Sequence, residues 1–529
     1  MTADVVTTEI IRNLLLSAAE DMLATLLRSA FQPLIYENAD ASVALLDSNF
    51  SVLGQSSGLP LFLGSLDESV KNAVAAKGGA AWLEEGDVVF LNDPYIHGAH
   101  LTDVTMFAPL FIDGTLFGYV AARADITDIG GRDPGGGTGT TEVYQEGVRF
   151  GPVKIATRRG PVEDIIEIIR INSRSKDLVV GDINAMIASC RTGHRRLMEI
   201  IDRFGRAQVE TCRDEIFRQS ERADREAVLA IPDGVYEGAG CMDNYGIDLD
   251  TPVHIPIIIR VDGDRMIVDL TNSPDATRGP INCGRVQAIS AMRMAFKLIL
   301  APERAFDGGC FRNLEVLTRP GSIHDAREPA PCAWYYTTFG LLVDLFVSAF
   351  ANVLPGRVAA AQFGDSMITY FAGKSPKNPA ESYLCVEAHA GGWGATQTAN
   401  GADGVINMLN GMFRNTPVEA FEQHYPISVT EYGLRRGSGG AGRHRGGHGI
   451  VRQYEFHAPT TLYLWLDRSK TPGWGLQGGE PGLPPQAEIT GSVNRDDLLK
   501  INGMELVPGD RLKILTGGGG GFGAPPGNM

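Results

Sequence analysis

The twelve residues from Asn92 to Asp103 hold two histidines and two aspartates in one polar, turn-rich stretch, Asn-Asp-Pro-Tyr-Ile-His-Gly-Ala-His-Leu-Thr-Asp. Asn-Asp-Pro starts a turn. Apolar runs follow, from Val104 to Phe111 and from Leu116 to Ala122, joined by Ile112-Asp113-Gly114-Thr115. Asp-Gly between two apolar runs is a strong β-hairpin signal. The return ends in Arg123-Ala124-Asp125-Ile126-Thr127-Asp128. With Asp113 and Gly114 as the two turn residues, paired positions sum to 227, so Asp103 faces Ala124. A slip of one residue changes the face a side chain occupies. Both acidic clusters nonetheless lie at one end of one hairpin, bringing His100, Asp103, Asp125 and Asp128 together. Imidazole plus carboxylates suits a divalent metal such as Zn, Mn or Fe(II), whose open positions hold and activate water or substrate. The alternative is a surface turn with solvated charges.

Other motifs fail on context. Gly54-Gln55-Ser56-Ser57-Gly58 has the GxSxG spacing of a nucleophile elbow, but Leu59-Pro60 opposes an immediate helix. Gly518 to Gly523 matches GxGxxG, yet only six residues follow, including Pro525-Pro526, so no helix can receive a pyrophosphate. That segment reads as an irregular, flexible end. Gly373-Lys374-Ser375 resembles the end of a phosphate loop, but Ile368 stands where its first glycine belongs. If ATP is used, this chain does not bind it alone.

The elements that must position the cluster follow from periodicity. Apolar residues at three- and four-residue spacing predict a helix over 7–31, with Thr7 or Thr8 as its cap. Short strands follow at 41–47, 52–53 and 88–91, with a helix at 65–78. Residues 161–228 read as helix, 236–270 as β-structure, 286–300 and 337–353 as helices, and 425–516 as β-rich. The apolar stretch from Phe339 to Leu354 contains Asp344 and Asn352 and is too short to span a bilayer, so it reads as a buried helix. Three regions are expected: 1–230, carrying the metal site; 231–355, mixed; and 356–529, glycine- and β-rich. The fold class is mixed α/β of the α+β kind.

Composition bounds the function. Of 529 residues, 43% are hydrophobic and 21% charged, which fits a soluble globular chain of several domains. The net charge of −16 argues against nucleic acid and anionic membrane as partners. Seven dispersed cysteines without a CxxC argue against a disulfide framework or zinc ribbon and suit a reducing cytosol. No basic and then apolar leader opens the chain, so a cytoplasmic location is expected.

At NDPYIHGAHLTD and RADITDIGG the chain resembles the hydantoinase B/oxoprolinase family, whose patterns run roughly N-D-P-Y-x-G-G-x-H-x-x-D and R-A-H-x-x-D-I-G-G. GDINAMIASCRTGHRRL, DLTNSPDATRGPIN, RNTPVEAFEQHYPISV and the terminal GGGGGFG extend the resemblance over almost the whole chain. The resemblance implies metal ligands at Asp40, His100, Asp103 and Asp125. It also implies a helical N-terminal part with a β-hairpin metal site and a β-rich C-terminal part. Many relatives carry histidine at position 125; a carboxylate is harder and tilts the preference toward Mn, Mg or Fe over Zn, or weakens the site. Glycine is usual at position 97; His97 either replaces the missing imidazole, serves as acid/base, or is a solvated turn histidine. Glu142, Gln145 and Glu146 either line the site or cap a helix. His389 reads as a buried structural histidine, Trp474 as core, and Arg443, His444, Arg445 and His448 as a solvated turn that could alternatively bind phosphate.

The resemblance further implies a division of labour. A hydantoinase A-like ATPase partner binds ATP and phosphorylates the small-molecule substrate, and this chain receives the activated intermediate in a hetero-oligomer. Compact length favours an ATP-dependent cyclic amide hydrolase. A ketone carboxylase component and a metal-free scaffold are the alternatives.

Overall fold

The computed structural model describes residues 4–496 and 498–527. Among the described residues it has four β-sheets and several long helices, the mixed α+β architecture expected from the sequence. The first sheet has seven strands: β1 (Ala41–Asp47), β2 (Val52–Gln55), β3 (Val88–Leu91), β4 (Asp103–Ile112), β5 (Thr115–Asp125), β6 (Val153–Thr157) and β7 (Gly160–Pro161), in the spatial order β2-β1-β5-β4-β3-β6-β7. Its pairings between these strands are antiparallel. One face buries Val43, Val104, Met106, Val120 and Ala122 against the helices Val5–Ser29 and Lys176–Phe204. The other buries Ala44, Phe107, Tyr119 and Ala121 against the helix Leu66–Ala76.

A second sheet holds β8 (Gly234–Met242), β9 (Val253–Asp262), β10 (Arg265–Asp269) and β11 (Leu314–Leu317). A third holds β12 (Ile368–Lys374), β13 (Ser382–Ala388), β16 (Thr460–Trp465) and β18 (Lys500–Leu506), and a fourth holds β14 (Ile427–Arg435), β15 (Gly449–Phe456), β17 (Gln486–Thr490) and β19 (Arg511–Leu515). The helix Tyr335–Ala349 is buried on all sides from Tyr335 to Val347, as its continuous apolar run requires. Among the described residues, no helix is long and apolar enough to cross a membrane.

Several local expectations change. The first helix is capped by Asp4, whose side chain accepts from Thr7 N, rather than by Thr7 or Thr8, so it begins at Val5. The stretch 161–228 is three helices, broken at Ser173 and at Gly205, whose φ of 80° ends the helix Lys176–Phe204. A one-turn helix, Pro60–Leu63, does follow the GxSxG stretch, because proline suits the first helical position. The terminal glycine run is neither irregular in packing nor free. Thr516 to Phe522 are buried, and Gly517 to Gly521 thread between three other glycine-rich segments. The carbonyls of Gly519 and Gly520 accept from Gly440 N and Ala395 N, each at 2.9 Å. A Cβ at Gly518, Gly519 or Gly520 would lie 1.9–2.0 Å from the carbonyl oxygen of Ser438, Trp393 or Trp474. Only glycine permits this approach of backbone to backbone.

Gly519→Ala is therefore expected to destabilise the chain by about 3 kcal/mol or more, because overpacking against backbone has no side chain to yield. Gly433→Ala, where nothing lies within 4 Å of the added carbon, should stay within about 0.5 kcal/mol of the parent. Denaturant melts of the two variants check the contrast.

Candidate metal centre

The hairpin that carries the site turns at Asp113 and Gly114, with φ of 48° and 72°, the paired positive values of a type I′ turn. Near the turn the register is the expected one, Ile112 opposite Thr115 and Phe111 opposite Leu116. A β-bulge then leaves Phe117 unpaired, and Leu110 faces Gly118. From there paired positions sum to 228, so Asp103 faces Asp125 rather than Ala124. The bulge thus moves Asp125 onto the same face as Asp103. On the other side of β5, Ala41 faces Ala124, and one residue further the Asp40 carbonyl accepts from Asp125 N at 3.4 Å. Asp125 and Asp103 consequently stand abreast on β5 and β4, with Asp40 beside Asp125 just before β1.

His100 reaches the same point from the loop before β4. Asn92 staples that loop: its Oδ1 accepts from Phe150 N at 2.7 Å, and its Nδ2 donates to Leu101 O and Val148 O. Asp93 caps the short helix Pro94–His97 by accepting from Tyr95 N. The chain reverses at Gly98, φ 94°, where a Cβ would lie 2.8 Å from Gln287 N in the helix Arg285–Leu300. His100 Nδ1 pairs with the Thr102 hydroxyl at 2.7 Å. Its Nε2 lies 3.4 Å from Asp103 Oδ2 and 3.9 Å from Asp125 Oδ2. One ligand atom from each of His100, Asp103 and Asp125 falls within 4.8 Å of the others. Asp40 lines the same cavity and its Oδ1 is buried without a hydrogen-bond partner.

The electrostatics are those of a site short of positive charge. Burial pushes Asp103 up to about 7, against the opposing pull of Arg123 and a hydrogen bond from Tyr335. Burial pushes Asp125 up to about 6, with His100 opposing and Asp103 adding repulsion. Asp40 is raised well above the carboxylate range by burial and then by Asp125 and Asp103. Burial lowers His100, keeping its imidazole neutral and ligating. The cation beneath the cluster is Arg123, fully buried. It donates to Thr105 Oγ1, Ser65 Oγ, Ser69 Oγ and His97 O at 2.7–3.2 Å. Fully ionised, three carboxylates against one guanidinium would leave two negative charges in a site of low dielectric, a balance that a divalent cation would restore. The donor set of one imidazole and three carboxylates, with an orphaned carboxylate oxygen among them, fits such an ion, with a preference for hard metals. The ligands are also braced: Tyr335 OH donates to Asp103 Oδ2 at 2.9 Å and Thr127 N to Asp125 Oδ1 at 2.7 Å.

Other expected site residues lie elsewhere. Asp128 does not join the cluster; its carboxylate is held by the guanidinium and backbone N–H of Arg174 at 2.9 and 2.5 Å. His97 is fully buried, not a solvated turn residue. Its Nδ1 is 3.3 Å from Thr105 Oγ1, and burial with Arg123 beside it lowers its pKa well below the usual value. Glu142 is exposed, and Gln145 Oε1 accepts from Thr141 N. Glu146 is buried, raised to about 7 by burial, and accepts from Cys332 N, Ala333 N and the Thr140 hydroxyl. None of His97, Glu142 and Glu146 lines the cavity. His389 is buried against Thr369. Arg445 is paired bidentately with Asp403, and Trp474 packs at the edge of the largest apolar cluster under the Arg468 guanidinium.

The cavity itself is small, about 30 Å³. Its far wall comes from Tyr335, Tyr336, Ser366, Tyr370 and Asn410. These residues stand more than 200 positions from the hairpin, and no motif spacing announces them.

A model of the hydantoinase B/oxoprolinase family matches residues 4–525. The chain belongs to that family. The beta chain of the Pseudomonas jessenii caprolactamase is 30% identical over 99% of this chain and 91% of its own. The putative B component of a D-/L-hydantoinase from a Pseudomonas species is 28% identical over 99% and 90%. Among solved structures, the ATP-dependent caprolactamase of Pseudomonas jessenii superposes with a TM-score of 0.91 at 27% identity, covering 99% of this chain and 92% of that one. A nucleotide-free acetone carboxylase gives 0.89 at 17% identity, covering 98% and 76%, a likeness of fold.

Because the carboxylates hold protons near neutrality, metal binding competes with protonation. In the metal-free chain, carboxyls raised in the folded state disfavour folding as pH climbs from about 4 through the folded values of about 6 and 7. Bound Mn(II) removes that penalty. At one fixed Mn(II) concentration the stabilisation, read as a rise in Tm, should therefore grow from pH 5.5 to pH 8, and it amounts to roughly 2.7 kcal/mol where that concentration is a hundredfold above Kd. In Asp103→Asn the gain should largely vanish.

Proposed function

We propose that this hydantoinase B-family chain is the B-type subunit of an ATP-dependent cyclic amide hydrolase, opening hydantoin, lactam or oxoproline-like rings. The observation that carries this is the buried cluster of His100, Asp103 and Asp125, with the half-buried Asp40 lining the same cavity. Those four side chains would hold a divalent metal, with Mn or Fe favoured over Zn by the three carboxylates. Such an ion supplies Lewis acidity and makes water a stronger nucleophile at neutral pH. Thr102 turns His100 Nε2 toward the carboxylates, and Tyr335 fixes Asp103. Leu59, Phe62, Ile368, Leu409 and Phe413 wall the cavity and exclude bulk water. Glu146 acts at one remove, anchoring the backbone that leads into Tyr335 and Tyr336.

The sequence carries no recognisable phosphate-binding loop, so an A-type partner would bind ATP and phosphorylate the substrate. Relatives named as parts of multi-chain enzymes support a hetero-oligomer. The seven free cysteines suit a cytoplasmic location. The hydrolase reading is favoured over a ketone carboxylase by the higher identity and fuller mutual coverage of the caprolactamase structure.

The test is the purified complex with its A-type partner, given ATP and hydantoin, 5-oxoproline, a lactam or a ketone, with and without bicarbonate. Ring opening without bicarbonate is expected, and Asp103→Ala should lower it by about a thousandfold. Product that requires bicarbonate would place the chain with the carboxylases. Full activity of Asp103→Ala would make it a scaffold.

A further inference from the structure

The backbone just beyond Asp125 holds a conformation that its residue disfavours. Thr127 has a φ of 59°, and Asp128 N donates to Ile126 O at 2.7 Å, which closes a three-residue turn on it. A turn of this hand is rare, and a β-branched residue at positive φ is strained. Such strain persists only where the surroundings over-determine it, and it gathers at functional sites. Here one amide grips the turn. The Thr127 hydroxyl donates to Gln32 Oε1, and Gln32 Nε2 donates to Ile126 O at 3.0 Å. Gln32 is buried, and its own backbone is fixed. Phe31 N and Gln32 N donate to Asp182 Oδ1 at 2.7 and 3.3 Å, and Asp182 is fully buried in the helix Lys176–Phe204.

What the turn aims is the Thr127 N–H. It donates to Asp125 Oδ1 at 2.7 Å and leaves Oδ2 as the oxygen toward His100 Nε2, 3.9 Å away. A free carboxylate turns about its last torsion in a broad well and can meet a cation through either oxygen or both. Tying down Oδ1 removes that freedom. Asp128 is pinned beyond the turn by Arg174. Relaxing Thr127 to an ordinary φ therefore has to swing the preceding peptide, and its N–H leaves Asp125. We propose that Gln32 is a positioning residue for the metal centre: its amide holds Thr127 in the strained turn, and the Thr127 N–H fixes Asp125 so that Oδ2 is the oxygen offered to the cation. This rests on the metal-dependent reading above. Gln32 does not line the metal cavity, so its effect passes through Thr127.

The experiment titrates the full chain with Mn(II), reading free Mn(II) by its paramagnetic resonance, beside Gln32→Leu, Thr127→Gly and the double variant, with Tm measured on each metal-free sample. Leucine keeps the volume of Gln32 and gives up both hydrogen bonds, whereas glycine takes a positive φ without help. Gln32→Leu is expected to bind Mn(II) about tenfold more weakly, and Thr127→Gly within about threefold of the parent. The double variant should match Thr127→Gly, because a turn that needs no grip loses nothing with it. A role confined to folding would lower Tm in both backgrounds and leave the Mn(II) affinity of the folded chain unchanged, and that result overturns the proposal. An equal loss of affinity in both backgrounds overturns it too. Should Gln32→Leu not fold, Thr127→Val removes the hydroxyl's bond to Gln32 alone, and Mn(II) affinity equal to the parent's would overturn the proposal. All three results leave the metal site standing. A parent that takes up no divalent metal overturns this proposal together with the reading beneath it.

Discussion

Three carboxylates side by side, Asp103 and Asp125 buried and Asp40 half-buried with one oxygen enclosed, are the constraint around which this site is organised. Asp125 and Asp103 occupy neighbouring strands with Asp40 at the entry to the next one, and like charges so placed cannot all ionise in an apolar setting without cations. Much of the local architecture answers that problem. Arg123 lies beneath them in a cradle of Thr105, Ser65, Ser69 and the His97 carbonyl, which satisfies its donors and leaves its charge to act. His100 is held neutral and turned inward by Thr102. The proposed divalent ion would supply the positive charge these carboxylates need in order to ionise together.

The second half of the site is assembled from far along the chain. The helix Tyr335–Ala349 arrives with its first turn over the hairpin end, and Glu146 secures the preceding backbone by accepting from Cys332 and Ala333. β12 and the segment around Asn410 close the cavity. The glycine-rich C-terminal segments pack backbone against backbone.

The hairpin, its turn and the acidic clusters at its open end are legible in the sequence, because Asp-Gly between apolar runs has one dominant solution. The bulge at Phe117 is not. Nothing about an apolar residue in an apolar strand signals that it will go unpaired, yet this bulge alone decides whether Asp125 shares a face with Asp103. Asp128 falls outside the cluster for a related reason: its partner Arg174 lies 46 residues on, beyond the reach of local spacing. Asp40 is visible only through family resemblance. Glu146 and the tyrosines are long-range contacts, invisible to periodicity. The terminal glycines read as a flexible end because a run of glycine looks the same whether it is free or is the only residue small enough for a crowded interior.

The central claim is that these carboxylates and His100 hold a divalent cation. A crystal structure of the full chain grown with Mn(II), with anomalous data at a wavelength where manganese scatters, addresses it directly. One strong anomalous peak bonded to His100 Nε2 and to oxygens of Asp103 and Asp125, with Asp40 turned toward it, is the predicted result. A cluster with no anomalous peak, its carboxyls hydrogen-bonded to one another as acids at pH 8, would contradict it.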